Sequence, residues 1–301
     1  MLGMESLWRG AGSALGRMPE GFGPGQHTTW EYAYTWWELP IFIFIGIGGG
    51  LFGAAFVAVN RRVTQFRLEH VIGHPLRMCA EAALMALFMS IGAFLFPYTF
   101  LGCETAPAPA PSSNATLASY QDQPPPHHYC NTSTNSQLTD FFLAPGETTI
   151  GNLVSGLTPS VLTMPEYLPV AAFFVFYFCT TCYTFGLQVP AGVFMPLIVS
   201  GSAYGKLCGQ MIDFFMGGVG WQFKHYGNCA LIGAAAILGG VTRMVLSLTV
   251  IMLEACGDIN YGLPLLVTFI TARWVGNFFN EGLYDMHIEE RGIPLLEWTR
   301  R

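Results

Sequence analysis

The sequence predicts an all-α membrane protein that combines full-length spans with several short, broken helices. Three observations predict it. The 301 residues are 52% hydrophobic and 11% charged, against roughly 25% charged in an ordinary soluble domain. Apolar runs recur at about the length that crosses a bilayer. In the last third of the chain, Gly and Pro cut these runs into pieces, several below the roughly 20 residues a full span requires. A soluble enzyme is excluded by this composition, and no phosphate loop, catalytic triad or zinc spacing suggests a membrane enzyme. Lipid is the expected surrounding, with no nucleic-acid partner.

Residues 1–37 lack an apolar h-region and include Glu5. They read as a cytosolic or interfacial lead-in rather than a secretory signal. Residues 38–97 supply two membrane helices. The first runs from Leu39 to about Phe66, and its Gly46, Gly48, Gly49, Gly50 and Gly53 mark a packed face, because glycine lets a second backbone come close in lipid. The second runs from about Leu76 to Pro97, with Glu81 near its cytosolic end. Arg61, Arg62, Arg67 and Arg77 cluster around the turn between them, and no further Lys or Arg follows until Lys206. A basic connection of this kind is cytosolic, which makes the 98–165 region lumenal.

That region is a glycosylatable loop. It carries the sequons Asn114-Ala-Thr and Asn131-Thr-Ser, which are used only on the lumenal or outer side. Cys103 and Cys130 share the loop, either as a disulfide or as two free or palmitoylated thiols. The Pro-, Ser- and Gln-rich stretch between them has too little apolar surface to pack a core and reads as disordered. His127 and His128 beside Cys130 make too weak a cluster for a metal site, and neither metal nor cofactor is expected. A short amphipathic piece near 144–158 precedes the third span, about Leu168 to Leu187. Cys179 and Cys182 have CxxC spacing inside that span, where helix packing explains them better than redox chemistry.

Residues 166–301 form the broken-helix region, with apolar segments at 191–215, 228–240, 243–256 and 261–280. Backbone ends at membrane depth are tolerated only where they line protein or a wet cavity, and their free N–H groups can hold an anion. In "QVPAGVFMPLIVSGSAYG", Pro190 stops one segment and Pro196 falls in the first turn of the next, where its missing N–H costs nothing. The amides of Val193 and Phe194 lie just ahead of it and are candidate anion donors. A Pro-kinked helix with Gly201-xxx-Gly205 packed on a neighbour is the alternative. Arg243, Glu254 and Asp258 sit at helix ends, where capping or snorkelling accounts for them.

The "VPAGVFMPLIVSGSAYG" segment resembles the GxFxP segment of the CLC family of chloride channels and chloride/proton exchangers, with Gly192, Val193, Phe194 and Pro196 on its pattern. "ALIGAAAILGGVTRMVLSLTVIMLEACGDINYGLPLL" is similar to the paired helices that follow in the family, and "EGLYDMHIEERGIPLLEW" to its final helix, whose inner-gate tyrosine falls on Tyr284. The likeness covers about Glu38 to Trp298 and leans toward the intracellular CLC-6/CLC-7-like subgroup. It implies the second inverted repeat of the CLC fold plus one preceding helix. It further implies chloride as the transported ligand, held by the Val193 and Phe194 amides and by the Tyr284 hydroxyl. A homodimer, or association with another CLC subunit, in an endosomal, lysosomal or vacuolar membrane is implied as well.

The departures matter equally. The family's Gly-Ser-Gly-Ile-Pro segment, its gate-glutamate segment Gly-Lys-Glu-Gly-Pro, its proton-relaying glutamate and its tandem CBS domains do not occur in these residues. The resemblance therefore implies an incomplete chain that holds about half of the anion shell and none of the proton path. Three readings follow: a part of a chloride/proton antiporter or channel, a short subunit that acts by association with a full-length CLC protein, or a passive pore assembled from several half-chains.

Overall fold

A computed structural model describes residues 38–71, 73–99, 167–187, 192–216, 226–256 and 259–290, with isolated positions at 104–105, 134–135, 146, 149–150, 153, 189 and 292. The described chain is helical: α1 (Leu39–His70), α2 (Pro75–Thr99), α3 (Tyr167–Thr184), α4 (Phe194–Met216), α5 (Tyr226–Thr242), α6 (Val245–Cys256), a 3-10 turn (Ile259–Tyr261), α7 (Gly262–Phe279) and α8 (Leu283–Glu290). Inside the 98–165 loop, β1 (Glu104–Thr105) and β2 (Thr134–Asn135) form a two-residue antiparallel ladder, Glu104 opposite Asn135. Asn114, Asn131, Cys103, Cys130 and Asp258 lie outside the described residues.

Among the described residues, three stretches can cross a bilayer by length and composition: Leu39–His70, Pro75–Leu95, and Gly262–Glu290, which runs through α7 into α8. α3, α5 and α6 are shorter; α6, with 12 residues, rises only about 18 Å. The short, broken helices expected from the Gly and Pro pattern are therefore present. α1 starts with Pro40 in its first turn and ends with Arg67 and His70 in its last, an arrangement suited to both ends of the helix dipole. Its 32 residues rise about 48 Å, so its basic end projects past the roughly 30 Å hydrocarbon layer.

α5 is the centre of the core. Every residue from Asn228 to Arg243 is buried, and α5 packs on α4, α1 and α7. Small residues make this possible. A Cβ on Gly53 would lie 2.3 Å from the Gly240 carbonyl carbon, and one on Gly205 would lie 2.0 Å from the Cys229 oxygen. The glycines of α1 divide among three neighbours: Gly49 and Gly53 meet Ala236 and Gly240 of α5, Gly46 and Gly50 meet Thr271 and Ala272 of α7, and Gly48 meets the Tyr204 hydroxyl of α4. A single packed glycine face was expected, and three contacts are found. Gly201 and Gly205 do pack on α5, yet the helix that carries them begins at Phe194. Helix-terminus geometry and small-residue packing thus coexist in one segment.

α5 ends at Thr242, and the next residue, Arg243, is the one described non-glycine residue with positive φ (60°). This conformation turns the chain out of the helix, and the Arg243 amide donates to the Gly239 carbonyl, as a left-handed cap does. The Arg243 side chain is buried and donates to both the carbonyl and the side-chain oxygen of Asn280. Asn280 in turn donates to the Ala54 carbonyl at 2.8 Å. Arg243 therefore caps rather than snorkels. Glu254 is exposed.

α2 lies at the periphery. Only 6% of its apolar window is buried, and Leu76, Leu84, Leu87, Phe94 and Leu95 are exposed. Phe88 stacks on Phe176 of α3 at 5.6 Å, and Glu81 pairs with Arg67 of α1. Ile150 and Leu153 of the 144–158 piece are buried in the core.

Candidate functional site

The approach to the candidate anion residues begins at the end of α3. This helix stops at Thr184, three residues before the expected boundary, because Gly186 adopts a left-handed conformation (φ 90°) that terminates helices at little cost for glycine. The last carbonyls of α3 would otherwise be orphaned. Two side chains of α1 satisfy them. Asn60, fully buried, donates its carboxamide hydrogens to the carbonyls of Cys182 and Phe185, each at 2.9 Å. Arg67 donates to the Tyr183 carbonyl at 2.6 Å and the Phe185 carbonyl at 3.2 Å, and its third contact is to Glu81 of α2 at 2.7 Å. Its guanidinium also lies 4.7 Å from the centre of the Tyr183 ring, a cation–π distance.

Beyond Gly186 the chain reaches Gly192 and Val193, and α4 starts at Phe194. The Leu197 amide donates to the Val193 carbonyl at 3.2 Å, which makes Val193 the cap residue. Val193 is buried, Phe194 packs partly against the core, and Leu197 is fully buried. Neither the Val193 nor the Phe194 amide enters a backbone hydrogen bond among the described residues. Pro196, third in the helix, has no amide to satisfy. Gly192 is exposed, and a Cβ added there would meet no described atom within 4 Å. The start of α4 carries the positive end of its helix dipole.

Tyr284 sits in the first turn of α8 and is 41% exposed. No hydrogen bond joins its hydroxyl to Val193 or Phe194 among the described residues. One turn further along α8, His287 lies 3.0 Å from the Asn60 side-chain oxygen through Nε2, and its ring packs edge-on against Phe185 at 5.1 Å. The Glu290 end of the helix is held by Arg61 at 3.2 Å and Gln65 at 2.9 Å. α1 therefore holds both elements that carry the candidate donors: the end of α3 that leads to Val193, and α8.

Asn60, Arg67, Glu81 and His287 were not singled out as site residues by the sequence reading. A signal was present, because Asn60, Thr64 and Arg67 fall at i, i+4 and i+7 of α1, a polar stripe on one face of an apolar helix. Among the described residues no group of three or more His, Cys, Asp or Glu is arranged to hold a metal ion, and Cys179 and Cys182 lie as free thiols on α3.

A family model described as voltage gated chloride channel matches residues 10–277. The H(+)/Cl(-) exchange transporter 7 of Homo sapiens is 38% identical over 275 residues, 91% of this chain and 32% of the transporter. The H(+)/Cl(-) exchange transporter 3 of Mus musculus is 30% identical, with 89% of this chain and 32% of that protein aligned. Among solved structures, a eukaryotic CLC transporter matches with a TM-score of 0.55 at 22% identity, over 89% of this chain and 38% of the solved one. A slow cyanobacterial Cl-/H+ antiporter matches at 0.56 and 16% identity, over 88% of this chain and 49% of the solved one. The chain thus spans about a third of the length of the relatives it matches.

Proposed function

The chain belongs to the voltage gated chloride channel family, and from that premise we propose that it forms part of the chloride pathway of a chloride/proton antiporter or chloride channel in an intracellular membrane. The observation that carries the reading is the α4 terminus: Val193 and Phe194 start a helix seated in the core, and among the described residues their amides enter no backbone hydrogen bond. Gly192 keeps the approach clear, and Pro196 lets the first turn form without a stranded donor. Tyr284 supplies a neutral hydroxyl from α8. Neutral donors hold an anion without trapping it against a counter-charge, as a pathway requires. The exchange activity named for transporters 7 and 3 supports coupling to protons in the whole protein. An endosomal, lysosomal or vacuolar membrane fits the same likeness. On this reading 38–97 are two membrane helices, 98–165 the lumenal glycosylated loop and 166–301 the anion-pathway region.

Bromide, a chloride substitute with anomalous scattering, tests the site directly in crystals of the chain grown in bromide. An anomalous peak beside the Val193 and Phe194 amides is expected. A peak elsewhere, or none at saturating bromide, overturns the assignment.

A second reading draws on the outward apolar residues of α6 and α7, where Leu246, Trp274 and Phe278 are 75%, 79% and 85% exposed. On it the chain acts by association with a full-length CLC subunit. Co-purification with such a subunit from co-expressing cells supports this reading, and separate elution sinks it.

A further inference from the structure

Asn60 uses both of its donors and one acceptor site on α3 and α8. Its two amide hydrogens go to the Cys182 and Phe185 carbonyls, and its oxygen meets His287 Nε2 at 3.0 Å. A flipped carboxamide would set its oxygen against two carbonyl oxygens, so the network itself fixes the orientation, and His287 donates through Nε2. Asn60 is fully buried and the Arg67 beside it is 3% exposed, which leaves little water to replace a lost partner. His287 lies three residues after Tyr284, hence on the same side of α8. Phe185 and Gly186 open the connection that ends at Val193.

We propose that Asn60 is a positioning residue for the chloride site: it fixes α8, and with it the Tyr284 hydroxyl, at a set distance from the α3 end that delivers the Val193 and Phe194 amides. The proposal rests on the chloride reading given above. Its chemistry is that of a spacer. If the His287 link is cut, α8 is still held at its far end by Arg61 and Gln65 through Glu290, but the turn that carries Tyr284 loses its nearest polar anchor. The helix stays in place while the hydroxyl loses its register.

Chloride titration calorimetry on the purified full chain in detergent tests this, with the unfolding midpoint recorded separately in chloride-free buffer. The variants are His287→Ala, His287→Gln, Asn60→Ala and Tyr284→Phe. His287→Gln retains an amide donor that can reach the Asn60 oxygen. Expected are a chloride affinity at least fivefold weaker in His287→Ala and Asn60→Ala, weakening in Tyr284→Phe, and His287→Gln within twofold of the parent. His287→Ala is the milder change and stands alone if Asn60→Ala fails to fold. If Tyr284→Phe weakens chloride but His287→Ala lowers only the unfolding midpoint, the residue is structural and the positioning role is overturned. If Tyr284→Phe also leaves chloride affinity unchanged, Tyr284 leaves the site and the positioning role falls; if the parent chain itself shows no chloride binding, the chloride reading fails.

Discussion

Replacing Arg67 by Met keeps most of the apolar stem and removes the guanidinium. The residue is 3% exposed, and the Glu81 side chain opposite it 15%. Three acceptors lose a donor: Glu81 at 2.7 Å, the Tyr183 carbonyl at 2.6 Å and the Phe185 carbonyl at 3.2 Å. Removing one partner of a buried ion pair costs about 3–5 kcal/mol. Each hydrogen bond to a charged group contributes about 1.5–3 kcal/mol, but these figures overlap at Glu81, which also retains some water. A loss of about 3–4 kcal/mol is therefore expected. Arg61 is the control: its side chain is 49% exposed and it pairs with Glu289 at 3.6 Å and Glu290 at 3.2 Å, so Arg61→Met should cost less than about 1 kcal/mol. Adding Glu81→Gln to Arg67→Met removes the stranded carboxylate and should restore about 1–2 kcal/mol. Tryptophan-monitored thermal unfolding in detergent, at one scan rate because unfolding of such proteins is often irreversible, should show a drop of about 6–12 °C for Arg67→Met and under about 4 °C for Arg61→Met. Equal drops for the two arginines, or no recovery with Glu81→Gln, would mean that the buried Arg67–Glu81 pair does not carry this stability.

Gly53→Val places a Cβ 2.3 Å from the backbone of Gly240; no side chain can yield there, so α1 and α5 must separate at a cost of about 1–3 kcal/mol or more, read as a lower unfolding midpoint. Tyr284→Phe, which removes only the hydroxyl of a partly exposed side chain, should weaken chloride binding with an unfolding midpoint close to the parent's. Treatment with an N-glycosidase should shift the chain to lower mass when it is made in cells, and Asn114→Gln combined with Asn131→Gln should abolish that shift.

The membrane class and most helix boundaries were legible in the sequence because apolar length and Gly or Pro punctuation are local signals. Val193, Phe194 and Pro196 could be placed at a helix start for the same reason. The division of the α1 glycines among α4, α5 and α7 was not legible, since Gly46, Gly48, Gly49, Gly50 and Gly53 read as one cluster until the neighbours are present. The end of α3 was placed three residues late because the apolar run continues through Phe185 and Leu187, while the stop depends on Gly186 and on Asn60 and Arg67 more than a hundred residues earlier. Arg243 could be assigned to a helix end from its surroundings, but its partner Asn280 depends on how α7 returns to α5.

The grip on α5 also bears on how the protein can move. Where interlocked side chains slide past one another, rotamer changes absorb the displacement; where backbone meets backbone, as at Gly53 with Gly240 and Gly205 with Gly233, nothing soft lies between the helices. α1, α4, α5 and α7 therefore shift as one body. A spectroscopic label pair on α4 and α5 should hold a fixed distance whether or not chloride is present.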